Sequence, residues 1–359
     1  MIGSLHRRAP AVVLSLALAG SAMVVLAPAA GAATVTVQPG QSIQAAVDAA
    51  APGTTIKLAP GVYHDNVEIS KKAITIQGSG AGNTVLEPPA APHPGSRCVV
   101  PEDPEAVNGI CVAAFPLPEN GSPTALVTAP HITGLTVRNF SSGIGVLFFG
   151  VKGGTVDHVV AANDGAYGIT AFASTGTRFM SNVTFSSKEA GLYVGDSPNA
   201  AATVQNNVSF DNQFGIFIRS ASKGTINNNN VYGNCAGILF LNQPNSPTGW
   251  VTGSNAVHDN DRACPPSREG PPLSGAGILL FGAGRNTIQN NTVNDNAPGG
   301  PTAVSGGIVL VEGSSGNNIT NNNAHRNVPV DLADDSGAAN RFAGNRCDTS
   351  RPPGLCRAH

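Results

Sequence analysis

Apolar and polar positions recur along this chain with one repeated phase. A Gly-Ile (or Gly-Leu) pair followed by alternating apolar residues stands at Gly143-Ile144, Gly168-Ile169, Gly191-Leu192, Gly215-Ile216, Gly237-Ile238, Gly277-Ile278 and Gly307-Ile308. A second apolar column, Val156, Phe179, Val204, Ile226, Val251, Ile288, Ile319 and Phe342, runs between them, and Asn182, Asn207, Asn229, Asn255, Asn291, Asn322 and Asn345 form a polar third. Most steps lie near 23 residues, and each apolar column lengthens at the same two places, which marks insertions at 261–274 and 297–305. A period of this size signals a stacked repeat. Each period holds three strand-like pieces of a few residues, too short for a hairpin sheet and without a helix to build βαβ units. Stacking resolves this: every strand pairs with its copy about 4.8 Å above, and the inward Ile and Val columns join into one core. Asn suits the corners because it tolerates left-handed backbone angles and its amide can bond to the next Asn in the stack.

Composition agrees. Of 359 residues, 43 are Gly, 33 are Asn and only 12% are charged, against about 25% in an ordinary soluble domain. Gly, Asn, Thr and Pro are poor in helix interiors. The 41% hydrophobic content argues against disorder, and a net charge of -2 leaves no electrostatic footprint for nucleic acid. His6-Arg7-Arg8, the apolar run from Ala11 to Ala27 and the small residues Ala29 to Ala33 predict a signal peptide over 1–33. No later apolar run suggests a membrane span, and the expected product is a secreted, extracellular monomer. Six cysteines in an exported chain suggest three bridges, simplest as Cys98 with Cys111, Cys235 with Cys264 and Cys347 with Cys356, although fifteen pairings are open.

The repeats, as in Thr287-Ile-Gln-Asn-Asn-Thr-Val-Asn-Asp-Asn296 followed by Gly307-Ile-Val-Leu310, resemble those of the pectin-lyase-like superfamily, most closely its NosD-type members. The segments Val37 to Asp48, Thr55 to Tyr63 and Ile74 to Gly78 resemble the start of such domains. The resemblance implies an all-β, right-handed parallel β-helix of about ten coils over 34–359, closed at its start by a short helix with Ser42 as N-cap and Ile43, Ala46 and Val47 facing inward. Within it, 34–86 would hold the cap and first coils, 87–125 a disulfide-containing excursion, 126–346 the regular coils and 347–359 a tail. The fold itself hosts lyases, hydrolases, epimerases, binding proteins and adhesins.

By the same resemblance, the outer face of the Gly-Ile strands is the substrate groove and both insertions border it. Alternation places Leu147, Thr170, Phe172, Tyr193, Phe217, Arg219, Leu239, Leu241, Leu279, Phe281, Val309 and Val311 outward. Lyase-type chemistry needs carboxylates to hold Ca²⁺ against an acidic sugar and an Arg or Lys beside the sugar carboxylate. The candidate catalytic set is Arg219 with Tyr193 and Asp196, joined by Asp211, His258, Asp259 and Asp261 from the corners. Phe172, Phe217, Leu239, Phe281 and Lys188 are candidate substrate contacts, and Ca²⁺ is the candidate cofactor. Copper or zinc would need clustered His, Met or Cys, and the chain has three Met. Three readings fit the apolar stripe: a sugar-stacking floor, an apolar small-molecule site, or a second core covered by the Cys98 to Cys111 excursion or by the insertions themselves. Two functions follow, a secreted carbohydrate-active enzyme (lyase, hydrolase or epimerase) and a non-catalytic glycan-binding scaffold at the cell surface.

Overall fold

A computed structural model describes residues 33–100, 103–117, 122–123, 125–266 and 270–357. The expected signal peptide falls almost wholly outside these residues. Apart from the helix Ile43–Ala49, the chain forms short strands stacked in three long parallel sheets of 12, 11 and 11 strands. The first sheet runs from Thr34–Val37 to Arg341–Ala343, the second from Gly61–His64 to Arg346–Cys347, and the third from Val67–Ser70 to Ser350–Arg351. This is a parallel β-helix. The capping helix starts at Ser42, whose Oγ accepts from Ala45 N at 3.1 Å, and Ile43 and Val47 are buried against the first coils. No helix among the described residues is long and apolar enough to cross a membrane.

What sets the coil spacing is visible at the corners. Each rung of the Asn182 to Asn345 column donates from Nδ2 to Oδ1 of the next rung at 2.9–3.0 Å. The rung's backbone N–H donates to that same oxygen, and its Nδ2 also reaches a carbonyl of the preceding coil, as Asn207 does to Phe179 O. Both halves of every amide are therefore satisfied inside the protein, which a buried amide requires. The left-handed angle falls one residue earlier than expected: Asn206, Asn228 and Asn290 have φ near 56–59°, while the rung itself follows. Two further ladders lie at the other corners. One runs Asn212, Asn234, Asn260, Asn296 and Asn327, and ends on the carboxylate of Asp331. The other runs Asn286, Asn317 and Asn340.

The second ladder explains the glycine column. A Cβ on Gly237 would lie 2.7 Å from Gly277 O and 2.9 Å from Asn260 Nδ2, and one on Gly215 would meet Gly237 O at 2.7 Å and Asn234 Nδ2 at 2.9 Å. These glycines lack left-handed angles; they are kept because the rung and the next strand occupy the space of a side chain.

Two positions in the repeat shift. Val146, preceded by Gly145, pairs with Ile169 and is fully buried, while Ile144 is half-buried outside the main core, so the Gly-Ile register of that coil slips by two residues. In the first sheet Thr252, aligned with Ile226 and Ile288, faces inward, and Val251 is 37% exposed. The Thr252 hydroxyl is buried without a hydrogen-bond partner. Thr252→Val keeps the shape and removes an unpaired polar atom, so it should raise the unfolding temperature; stability should increase by about 1 kcal/mol in chemical denaturation.

The second ladder is broken at its start. Asp164, 1% exposed, stands where a rung belongs; its Oδ1 accepts from Phe140 N at 3.3 Å and its Oδ2 has no partner. Rungs such as Asn234 donate from this position to a carbonyl of the coil before, and a carboxyl can copy that donation only when protonated. Burial pushes the Asp164 carboxyl well above its ordinary 3.8, against the smaller pull of the Phe140 N–H. The folded state thus holds a proton that the unfolded chain releases, and stability falls as pH rises above the ordinary carboxyl range. Asp164→Asn supplies a neutral donor. Its gain in unfolding temperature over the native protein should be larger at pH 8 than at pH 4, measured by calorimetry at both.

Candidate functional site

In the third sheet Ile169, Leu192, Ile216, Ile238, Ile278 and Ile308 point inward and are fully buried. Their outward neighbours are not an open floor: Thr170, Tyr193 and Val309 are 0% exposed, and Phe217, Leu239 and Leu279 no more than 5%. Apart from Thr170, they form a second apolar core with Tyr167, Phe214 and Val330 and with Leu273 and Val304 from the insertions. The disulfide Cys235–Cys264 and the bridge between Cys264 and Leu273 hold the first insertion in place. Asp261 O accepts from Ser274 Oγ at 3.0 Å and Gly299 N at 3.1 Å, tying the two insertions together. Of the three readings of the stripe, the covered core therefore holds over these coils. Tyr193, Phe217 and Leu239 are packing residues where a sugar-facing floor was expected, because large side chains in register lie over one another and the insertions fold down onto them.

The exposed part of this face is one column further along the strands. Phe149, Phe172, Gly195, Arg219, Leu241, Phe281 and Val311 align coil by coil. All but Gly195 are at least partly exposed, Phe281 to 46%. Gly195 breaks the row, and the Tyr193 hydroxyl occupies the place of its missing side chain. One coil on, Arg219 Nη2 lies 3.8 Å from Asp196 Oδ1, with the two side chains 27% and 40% exposed. Burial raises the Asp196 carboxyl above its usual range, and the Arg219 charge opposes that rise. Tyr193, Asp196 and Arg219 are thus brought together, with the cation and carboxylate reaching solvent and the phenol sealed beneath them.

The other predicted residues lie elsewhere. Lys188 Nζ donates to Ser141 O at 2.9 Å. Asp211 is a left-handed corner residue whose carbonyl accepts from Arg262. Asp259 and Asp261 share the foot of the first insertion. His258 is on the outer face of the second sheet, with Nδ1 2.7 Å from Asp259 Oδ2 and Nε2 2.9 Å from Asn230 Oδ1. It ends a stack of Phe185, Phe210 and Tyr232, with ring centroids 5.0, 5.1 and 5.3 Å apart. The expected general base therefore belongs to a side-chain ladder on another sheet. That stack, like Phe149 in the exposed row, was missed from sequence. The available signal was phase, since each stacked ring stands three residues after an Asn rung.

All six cysteines are in disulfides, Cys98–Cys111, Cys235–Cys264 and Cys347–Cys356. Such bridges fit a compartment outside the cytoplasm. Among the described residues no group of three or more His, Cys, Asp or Glu is gathered to hold a metal ion.

A family model described as "Periplasmic copper-binding protein (NosD)" matches residues 128–346, more than half of the chain. The chain belongs to the NosD family. Copper does not fit the donors among the described residues: the thiols are oxidised, Met180 is the single Met, and no group of three or more His, Cys, Asp or Glu is gathered. No curated protein sequence matches. Among solved structures, the A-module of Azotobacter vinelandii mannuronan C-5 epimerase AlgE4 aligns with TM-score 0.62 at 18% identity over 86% of this chain and 83% of that one. The AlgE6 A-module of the same organism gives 0.60 at 18% identity over 86% and 89%. The catalytic unit of an α-1,3-glucanase from Streptomyces thermodiastaticus gives 0.52 at 14% over 90% and 70%. These likenesses establish the shared fold.

Because the first insertion lies over the second core, replacing Cys235 and Cys264 together by Ala should release it. The variant should unfold at lower temperature, by about 2–4 kcal/mol in stability, and bind more of a hydrophobic dye while still folded; dye fluorescence below the transition checks this.

Proposed function

We propose that this NosD-family protein is a secreted, extracellular carbohydrate-active β-helix that lays an acidic polysaccharide along the exposed row of the third sheet. The observation that carries this reading is the Asp196–Arg219 pair, set between half-exposed Phe172 on one side and Leu241 and Phe281 on the other. Apolar side chains along several coils suit the C–H faces of successive sugar rings. A guanidinium in the middle of the row suits a uronate carboxylate, which it can grip through two nitrogens. Structural relatives that bear the names of mannuronan epimerases and a glucanase support a glycan as ligand for this fold.

The pair also suggests a reaction. A proton beside a uronate carboxylate becomes removable when the charge that develops on the carboxylate is neutralised. Arg219 would stabilise that charge, and Asp196, ionised, would take the proton from the ring carbon. The electron pair left on that carbon then either expels the neighbouring glycosidic oxygen, which takes a proton from water and departs as a hydroxyl while a double bond forms, or takes a proton from water on the opposite face. The first outcome is a lyase and the second an epimerase. The raised Asp196 carboxyl means that turnover should climb with pH at values above the ordinary carboxyl range, since the base must be ionised.

The test is retention and turnover on polymannuronate and polygalacturonate. Arg219→Ala should weaken binding on the order of tenfold, and Asp196→Asn should keep binding while abolishing any unsaturated or epimerised product seen by NMR. Unchanged binding in Arg219→Ala overturns the site. Binding that depends on Arg219 without product in the native protein selects the second reading, a non-catalytic glycan-binding scaffold, which the burial of the Tyr193 hydroxyl favours.

A further inference from the structure

The exposed row is closed at its N-terminal end. Val99–Val100 and Asp103–Val107 pair antiparallel, and Ile110–Ala113 enters the third sheet beside Val146–Phe149. The Cys98–Cys111 bridge and the buried Phe115 fix this excursion to the sheet, where Leu147 and Phe149 pack against them. Between the excursion and the sheet lies a pocket of about 350 Å³. Val99, Val100, Ile144, Leu147, Phe149 and Phe172 supply its apolar lining, and the last two are also the first members of the exposed row.

Among the described residues, two polar side chains around the pocket are already engaged, at least in part. Asn108 Oδ1 accepts from Ile144 N at 2.8 Å and its Nδ2 donates to Val99 O at 3.2 Å. The Arg97 guanidinium is paired with Glu68 and lies 5.0 Å over the Phe115 ring. Ser142, exposed at the mouth, is the one lining hydroxyl without a partner among the described residues. A bare sugar ring entering here would give up water on several hydroxyls and find few replacements along the apolar lining, which is costly. An acyl group would bury carbon instead, and its ester oxygen is a weak acceptor that one hydroxyl at the mouth can serve.

We infer that this pocket takes the O-acyl group of a terminal sugar, and so selects the end of an acylated chain. The inference rests on the groove reading for the rest of the glycan, while the pocket can be tested alone. Calorimetric binding of O-acetylated polymannuronate oligosaccharides should be on the order of tenfold tighter than that of the same oligosaccharides after saponification. Leu147→Asp should erase that preference and leave Arg219-dependent binding of the saponified oligosaccharides intact; Leu147→Asn serves if the charged variant does not fold. Equal affinity for the two forms in the native protein, or a preference that survives at Leu147, overturns the inference. An O-acetylated methyl glycoside separates the two readings. If it binds and Leu147→Asp abolishes that binding while Arg219→Ala leaves oligosaccharide binding untouched, the groove reading fails and the pocket stands.

Discussion

The architecture depends on a buried amide that can be satisfied in one way only. An Asn side chain at a corner has two donors and an acceptor, and inside this protein the groups that meet them belong to the coils on either side. A coil displaced by one residue would leave every rung unpaired, and unpaired buried amides cost more than paired ones return. The ladders therefore act as a register device: they fix which residue of each coil lies over which, and the Ile and Val columns then pack without ambiguity. The requirement propagates to the backbone, because the rung and the neighbouring strand leave no room for a Cβ at Gly215, Gly237 or Gly277.

The same register produces the outer surface. Once the coils are locked, every column is a row of like side chains about 4.8 Å apart, and chemistry appears where a row changes character. On the second sheet, rings stack from Phe185 to His258 and then give way to Asn294 and His325. On the third sheet, an apolar row is interrupted by Gly195 and Arg219. The insertions then decide what remains exposed. By covering the central column they confine the candidate site to a narrow line along the strand ends, bounded by the excursion at one end.

Much of the fold was legible because periodic sequence is a direct record of stacking. The Asn182 to Asn345 column and the inward Ile column can be read from residue numbers alone, and the capping helix followed from the resemblance of the opening segments. The register errors arose where the local sequence fits two phases. Gly143-Ile144-Gly145-Val146 offers the motif twice, and at Val251-Thr252 the more apolar residue is the one that points out. The cover over Tyr193 and Phe217 left no periodic trace, since Leu273 and Val304 sit in Pro-containing insertions whose position depends on a disulfide and on contacts between loops. For the site, the repeat placed Arg219 and Asp196 at the ends of strands on neighbouring coils. It could not separate them from His258, Asp259 and Asp211, which are close in the repeat but lie toward other faces.

The ladders also have a polarity. Along each ladder the Nδ2–H that joins one rung to the next points toward the C-terminal end of the stack and Oδ1 toward the start, while the second Nδ2–H turns back to a backbone carbonyl, so the rung-to-rung dipoles add, as peptide dipoles do along an α-helix. The backbone of a sheet contributes little of this kind because its dipoles alternate. The C-terminal end is thus the positive pole, and it is there that two ladders meet carboxylates: Asn327 donates to Asp331 at 2.9 Å, and Asn340 lies 3.3 Å from Asp334. The solenoid ends in the manner of a helix N-terminus, with anions placed on the pole that its own side chains create.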